Sequence, residues 1–250
     1  MRNAWTIASR EYRQYFQSPV AYVVAFLIMF LAGVLLVLDI YAVQQSAFNS
    51  YYPAPPPSAS DVVIFPAAFM LLFAAPALTM RLLSEEHRAG TLELLLTSPV
   101  RDWELVVGKW MGAMLYMLTV YAFSLILPIV LNNFVDPGLD FGVTAAGYLG
   151  LILLTAAFLA IGTAFSSFFN NQFASFFSTL IMIIILWWIV SWPASLVPPA
   201  ADFLNYLDAS THLDSMMNGI LAVKDIVYFL GLTSLGLFLG SVAIEIRRWQ

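Results

Sequence analysis

Charged residues are sparse along this chain, and the gaps between them are long and apolar. Between Arg13 and Asp39 there is no charge, and Val20–Leu38 is almost wholly hydrophobic. Val62–Met80 repeats the pattern, and Lys109 and Asp136 bracket Trp110–Leu131. From Phe141 to Ala201 no charge occurs, a length sufficient for two crossings. The polar knot Ser166-Ser167-Phe168-Phe169-Asn170-Asn171-Gln172 divides it into Val143–Phe165 and Phe173–Trp192. A last apolar stretch, Ile226–Ile244, runs between Asp225 and Glu245. A helix needs about 20 mainly apolar residues to cross roughly 30 Å of hydrocarbon. A charged residue at its middle costs about 2.5–3.5 kcal/mol on insertion scales. The pattern therefore predicts an all-α membrane protein, one transmembrane domain with six spans near 20–38, 62–80, 110–131, 143–165, 173–192 and 226–244.

The basic residues orient these spans. Arg2, Arg10 and Arg13 precede the first, while Arg81, Arg88, Arg101 and Lys109 lie between the second and third. Arg247 and Arg248 follow the sixth, and Lys224 alone falls on the other side. The positive-inside rule predicts that these nine residues, and both termini, face the cytoplasm. Most acids, including Asp61, Asp140, Asp208 and Asp225, then lie outside or at the outer interface. A cleaved signal peptide would have a shorter apolar core, about 7–15 residues, and a small-residue cleavage site. The first stretch is longer and has no Ala-x-Ala before Asp39, which predicts an uncleaved helix.

Outside the spans, Trp5, Ala8, Tyr12 and Phe16 recur at helical spacing, with Arg10 and Gln14 opposite. This predicts an amphipathic helix over 1–17 that lies in the interface before a turn at Pro19. A basic anchor that only sets topology fits the same residues equally well. Tyr52-Pro53-Ala54-Pro55-Pro56-Pro57-Ser58 predicts an extended polyproline spacer. The segment 193–224 is broken early by Pro193, Pro198 and Pro199. Its Leu207–Ser210 and Leu213–Met216 predict short helices on or in the outer leaflet. In the segment 84–100, Thr91 suits a helix cap and Pro99 a stop. Leu92, Leu95 and Leu96 share one face of that short helix, with Glu93 and Thr97 pointing away. Such a helix is either a docking element or an interfacial one. Asp102 suits an N-cap for the third span.

Composition agrees: 61% of residues are hydrophobic and 10% charged, with a mean hydropathy of +0.85. Soluble domains carry about 25% charged residues. Cysteine is absent, which excludes disulfides, thiolate metal sites and a cysteine nucleophile. No basic patch interleaved with aromatics supports nucleic-acid binding. No phosphate-binding loop occurs, since Gly108-Lys109 lacks the earlier glycine and the following hydroxyl. Neither a His-Glu-x-x-His nor a Gly-x-Ser-x-Gly motif is found. His87 and His212 fall on opposite sides of the membrane, and His212 with Asp214 reads as a solvated pair rather than a ligand set. No span carries a mid-membrane carboxylate or histidine of the kind that marks a proton relay. An embedded enzyme would need convergent polar residues at one depth, and none are evident. Gly108-x-x-x-Gly112, Gly236-x-x-x-Gly240 and the run Ala156, Ala160, Ala164 allow close helix approach, within the chain or at a dimer contact.

The residues from Ala8-Ser9-Arg10-Glu11 and Ser18-Pro19-Val20-Ala21-Tyr22 onward resemble an ABC-2-type permease, the membrane subunit of a bacterial ABC exporter. The resemblance is most specific at Glu85-Glu86-His87-Arg88-Ala89-Gly90-Thr91-Leu92-Glu93-Leu94-Leu95-Leu96-Thr97-Ser98-Pro99-Val100, followed by Gly108-Lys109. It resumes at Asn170-Asn171-Gln172, Asn218-Gly219-Ile220-Leu221 and Lys224-Asp225-Ile226-Val227-Tyr228-Phe229. This last stretch is similar to the gliding-motility-associated and nitrous-oxide-maturation branches. One departure is His87, where many relatives carry a basic residue. The resemblance implies that Arg88 and Gly90–Pro99 form a coupling helix docking on a separate ABC ATPase subunit, which would hold ATP and Mg. It implies a second permease subunit, identical or different, and admits an auxiliary extracytoplasmic membrane subunit. The amphipathic N-terminus would be a connecting helix, the chain would bind no cofactor itself, and it would reside in the bacterial cytoplasmic membrane. A secondary transporter without an ATPase partner is the alternative.

Overall fold

The computed structural model describes residues 2–48, 58–88, 90, 101–134, 138–190 and 201–248. The polyproline residues 53–57, the coupling-helix residues 91–100 and the prolines at 193, 198 and 199 lie outside the described residues.

Helix α1, Arg2–Tyr15, precedes α2, Pro19–Phe48. Proline at the first position of α2 costs no hydrogen bond, because that N–H has no helical partner. A π-helical turn, Ser60–Ile64, continues into α3, Phe65–Thr79, and α4 follows at Ser84–Arg88. The chain resumes with α5, Asp102–Ser124, and α6, Ile126–Leu131. Then come α7, Phe141–Phe168, and α8, Gln172–Ile184, which ends in a second π-helical turn, Ile185–Ile189. The last elements are α9, Ala201–Leu207, α10, Ala209–Met217, and α11, Val223–Arg248.

Six stretches are long and apolar enough to cross a membrane: Pro19–Ala42, Ser60–Glu86, Asp102–Leu131, Phe141–Phe168, Gln172–Ile189 and Val223–Ile246. The fold is therefore all-helical with six membrane-spanning helices, as the apolar pattern predicts. The polar knot divides the long apolar run where expected. Asn171 caps α8 there, its side-chain oxygen accepting from the Phe173 N–H at 2.9 Å. The start of the third span differs by about two turns from the prediction. It begins at Asp102 rather than Trp110, so Glu104 and Lys109 lie inside the helix. A charge-based boundary missed this because α1 packs against α5 and covers both charges. Asp102 is inside the helix as well; Arg101 is the N-cap, and the Glu104 carboxylate accepts its N–H at 3.3 Å.

Span four, α7, is the central element, packed against α11, α3, α10, α8 and α5. Small residues make this possible. A Cβ on Gly236 would lie 2.8 Å from the Ala160 carbonyl carbon, and one on Gly240 3.5 Å from the Ala164 Cα. Gly236 and Gly240 thus serve helix packing within the chain, against the predicted alanine run. Gly108 and Gly112 do the same for α1: a Cβ at Gly108 would meet Ile7 Cβ at 2.8 Å and the Ala4 carbonyl at 2.9 Å.

Spans one and five turn large apolar side chains outward, among them Tyr22, Phe26, Phe30, Phe177 and Trp188. Water would penalise such a surface and lipid does not. Five threonine hydroxyls inside the spans are bonded locally, whereas the buried Ser175 hydroxyl has no hydrogen-bond partner among the described residues. Thr79, Thr155, Thr163, Thr179 and Thr233 each donate to the carbonyl four residues back. Between spans three and four, Tyr121 and Thr155 hydroxyls lie 2.7 Å apart, and Ser124 and Tyr148 hydroxyls 3.0 Å apart. These two hydroxyl pairs bring polar side chains of spans three and four together. All four are bonded and buried, so they join two helices rather than open a reaction site.

At the end of the bundle away from Arg10, Arg81 and Lys109, α9 and α10 form a cap. The sequence places short helices at Leu207–Ser210 and Leu213–Met216. The structure breaks the pair at Asp208, whose carboxylate caps α10 by accepting from the Ser210 N–H at 2.9 Å. Ala209, Leu213 and Met216 are buried, and Leu213 and Met216 lie over Gly150 of α7. Gly219, with φ of +81°, turns the chain into α11. His212 is not paired with Asp214, which is exposed. Its Nδ1 is 2.6 Å from Asp225 Oδ1, and both side chains are buried. The turn at Gly219 brings α11 back beside α10, which spacing within one helix could not show.

Candidate coupling site

The second span ends in an elbow over residues 80–83 that leads into α4. The Ser166 hydroxyl, near the end of α7, accepts the backbone N–H groups of Leu83 at 3.0 Å and Ser84 at 3.2 Å. The Ser84 hydroxyl donates to the Met80 carbonyl. Leu83 packs with Leu105, Val106 and Ile244, from the third and sixth spans. The elbow is thus held by three spans at once. Gly90, with φ of +69°, follows α4 in the left-handed region that glycine adopts without strain. The segment 91–100 follows Gly90 in the chain and lies outside the described residues.

Beside the elbow stands a charge node. Lys109 Nζ, only 3% exposed, lies 2.8 Å from Glu11 Oε1 and 2.9 Å from Glu86 Oε1. One ammonium therefore joins α1, α4 and the third span. A buried cation needs such partners, since desolvation without them costs several kcal/mol. Tyr15 continues the junction: its hydroxyl donates to the Leu78 carbonyl at 2.9 Å, and its ring stacks on Tyr116 at 5.2 Å. Burial, and then the nearby Glu11 charge, push its phenol above the ordinary value, so it remains a donor. A cavity of about 300 Å³ opens here, lined by Arg10, Glu11, Arg81, Glu85, Glu86 and Lys109 among others. Among the described residues no cluster of three or more His, Asp or Glu side chains could hold a metal.

A family model described as "ABC-2 family transporter protein" matches residues 5–246. The chain belongs to the ABC-2 transporter family. No curated protein matches it. Members of this family are the membrane component of a transport system, and the family implies an ABC ATPase partner. The protein is accordingly a multi-pass ABC-2 permease with six spans.

Within the permease, the structure places the predicted site residues unevenly. Arg88 is exposed on α4, and Gly90 is exposed just beyond it. Thr91, Leu92, Glu93, Leu94, Leu95, Leu96, Thr97 and Pro99 lie outside the described residues. The N-terminal stripe is split. Ala8 is fully buried, Tyr12 is half-buried with its hydroxyl 3.0 Å from that of Thr119, and Trp5 and Phe16 are exposed. The buried face of α1 is instead Ala4, Ala8 and Tyr15, with Ile7 and Glu11 alongside. Small alanines let α1 seat on the Gly108–Gly112 groove, which turns Trp5 outward. Glu11, Glu86 and Lys109 each belong to a motif of the resemblance, yet sequence reasoning did not show that they meet. Their lone charges beside apolar spans were the available clue.

Proposed function

We propose that this permease is the membrane half of an ABC exporter in the bacterial cytoplasmic membrane. In this reading the nine-residue basic face and both termini are cytoplasmic, and the segment 91–100 docks on the ATPase. Two permeases, identical or different, sit over two ATPases, and ATP and Mg are held there. The observation that carries the reading is the anchored elbow. Ser166 and the Lys109 node fix α4 to α1, α7 and the third span, so a push on the coupling segment is delivered to the bundle rather than lost in a hinge. Closure of the ATPase pair would then shift α1 and the spans together and open a path between two permeases.

Affinity purification of the tagged permease from its native membrane is expected to bring down an ABC ATPase. The permease stripped of that partner is expected to hydrolyse no ATP above a mock preparation, since it has no phosphate-binding loop. Turnover that survives removal of every ATPase would overturn the assignment, and a transporter active with no ATPase bound would establish the secondary-transporter alternative.

Orientation has its own test, made simple by the absence of cysteine. Cys at Ser58 or Ser210 is expected to react with an impermeant maleimide in intact cells or spheroplasts. Cys at Ser98 or Asn171 is expected to react only after permeabilisation. Labelling of Ser98→Cys from outside would invert the orientation.

A further inference from the structure

The cavity beside the charge node lies where two spans reach the edge of the hydrocarbon. Its wall takes Val20 and Ala21 from the start of span one, and Ala77 and Leu78 from the last turns of span two. An apolar groove of about 330 Å³ shares Val20 and Ala77 with it and continues between the same two spans. Val24, Ile28, Ala74 and Met70 line the groove further in, with Phe176 of span five alongside. Its residues Val23, Leu27 and Phe73 are exposed, so it is open to the bilayer. From Val20 to Ile28 the helix rises about 12 Å. One leaflet of hydrocarbon is about 15 Å deep, half of the full core. The groove therefore follows a single leaflet from its polar edge nearly to the bilayer middle.

The charges of the cavity suit a headgroup. Three basic side chains, Arg10, Arg81 and Lys109, and three acidic ones, Glu11, Glu85 and Glu86, line it. Lys109 is committed to Glu11 and Glu86, at 2.8 and 2.9 Å. Arg10, Arg81 and Glu85 are exposed and form no ion pair among the described residues. Two guanidiniums facing one space repel each other unless an anion stands between them. A phosphate diester supplies that anion and matches the fork of each guanidinium. With equal numbers of each sign, the cavity is formally neutral and favours a zwitterionic headgroup over an anionic one. Glu85 then calls for a cation that donates hydrogen bonds. A primary ammonium does so, whereas a quaternary one has no N–H to give.

We propose that cavity and groove together hold one phospholipid with a primary ammonium headgroup. Its phosphate lies between Arg10 and Arg81, its ammonium at Glu85, and one acyl chain along the groove between spans one and two. Arg10 comes from α1, Arg81 from the elbow and Glu85 from α4, so the lipid touches every element of the junction. The site needs only the spans and the cavity, and stands whatever the direction of transport.

The test is native mass spectrometry of the delipidated full-length permease. It is titrated with phosphatidylethanolamine, phosphatidylcholine or phosphatidylglycerol of identical chains. Phosphatidylethanolamine is expected to bind with a Kd about tenfold below the other two, the worth of one charge-assisted hydrogen bond. In Arg81→Gln all three lipids are expected to weaken by about tenfold. Arg13→Gln makes the same charge change at an exposed residue of α1 outside the cavity, and is expected to leave the three constants unchanged. In Glu85→Gln, phosphatidylethanolamine is expected to weaken while phosphatidylglycerol tightens, a reversal that lost packing does not produce. Glycerophosphoethanolamine, the same headgroup without chains, is expected not to compete. Equal affinity for the three lipids, a preference retained in Glu85→Gln, or equal weakening in Arg81→Gln and Arg13→Gln would overturn the site. Displacement of the lipid by an equal concentration of glycerophosphoethanolamine would show a soluble ligand instead and overturn the lipid assignment.

Discussion

Leu95→Asp is expected to release the ATPase subunit during purification and to abolish transport, while expression and the six-span topology are unchanged. Leu92, Leu95 and Leu96 share one face of the proposed coupling helix by spacing. Removing a buried leucine costs about 2–5 kcal/mol in a packed core. A carboxylate in the same cleft adds the desolvation of an unpaired charge. A binding loss of about 3 kcal/mol lowers affinity by more than a hundredfold, enough to lose the partner on a column. The topology is spared because residue 95 lies between spans, not in one. Glu93→Ala, on the opposite face, is expected to retain most of the ATPase. If the segment instead lies on the membrane surface, Leu95→Asp leaves the ATPase bound. A pull-down quantified against the unaltered permease separates the two.

Lys109→Met is expected to be the most destabilising single change at the basic end. It removes the one cation that Glu11 and Glu86 share. Removing one partner of a buried ion pair costs about 3–5 kcal/mol. Here the lower end applies, because Glu86 is 24% exposed and can turn toward water. The expected readout is a thermal unfolding transition several degrees lower in detergent. Adding Glu11→Gln and Glu86→Gln removes both carboxylate charges of the node and is expected to restore most of the stability, since an uncharged replacement of a buried ion cluster is often neutral. Transport driven by the ATPase should stay impaired in that triple variant, because the charged tie between α1, α4 and the third span is gone while their apolar packing remains. Full transport in the stable triple variant would show that the node serves stability alone.

The six spans were legible because lipid imposes one strong rule, that charge stays out of the hydrocarbon, and the chain obeys it along Val20–Leu38 of α2 and throughout α7 and α8. The rule failed where charges are neutralised by a neighbour. The charge of Lys109 marks the edge of the third span in the sequence, although α1 buries it, together with Glu104, inside that helix. Local spacing likewise matched His212 to Asp214, two residues away, whereas the partner is Asp225 across the turn at Gly219. The Trp5 stripe reflected amphipathicity correctly but not direction. Which face of α1 is buried is decided by the groove at Gly108 and Gly112, about 100 residues later. The node was visible only as separate charged residues within recognisable motifs. Its assembly depends on tertiary packing that no one-dimensional period encodes.

That separation along the chain has a consequence for biogenesis. Glu11 is made 98 residues before the lysine that receives it, and the glycine groove that seats α1 is completed only at Gly112. The first two spans must therefore enter the bilayer while α1 is still without its seat, exposed at the membrane surface with Glu11 unpaired. Lys109 in turn enters with the third span and gains its counter-ions only when α1 and α4 close over it. Helix α1 is thus synthesised before the span it packs on and is placed only after it, and its docking marks the moment at which the third span is correctly inserted.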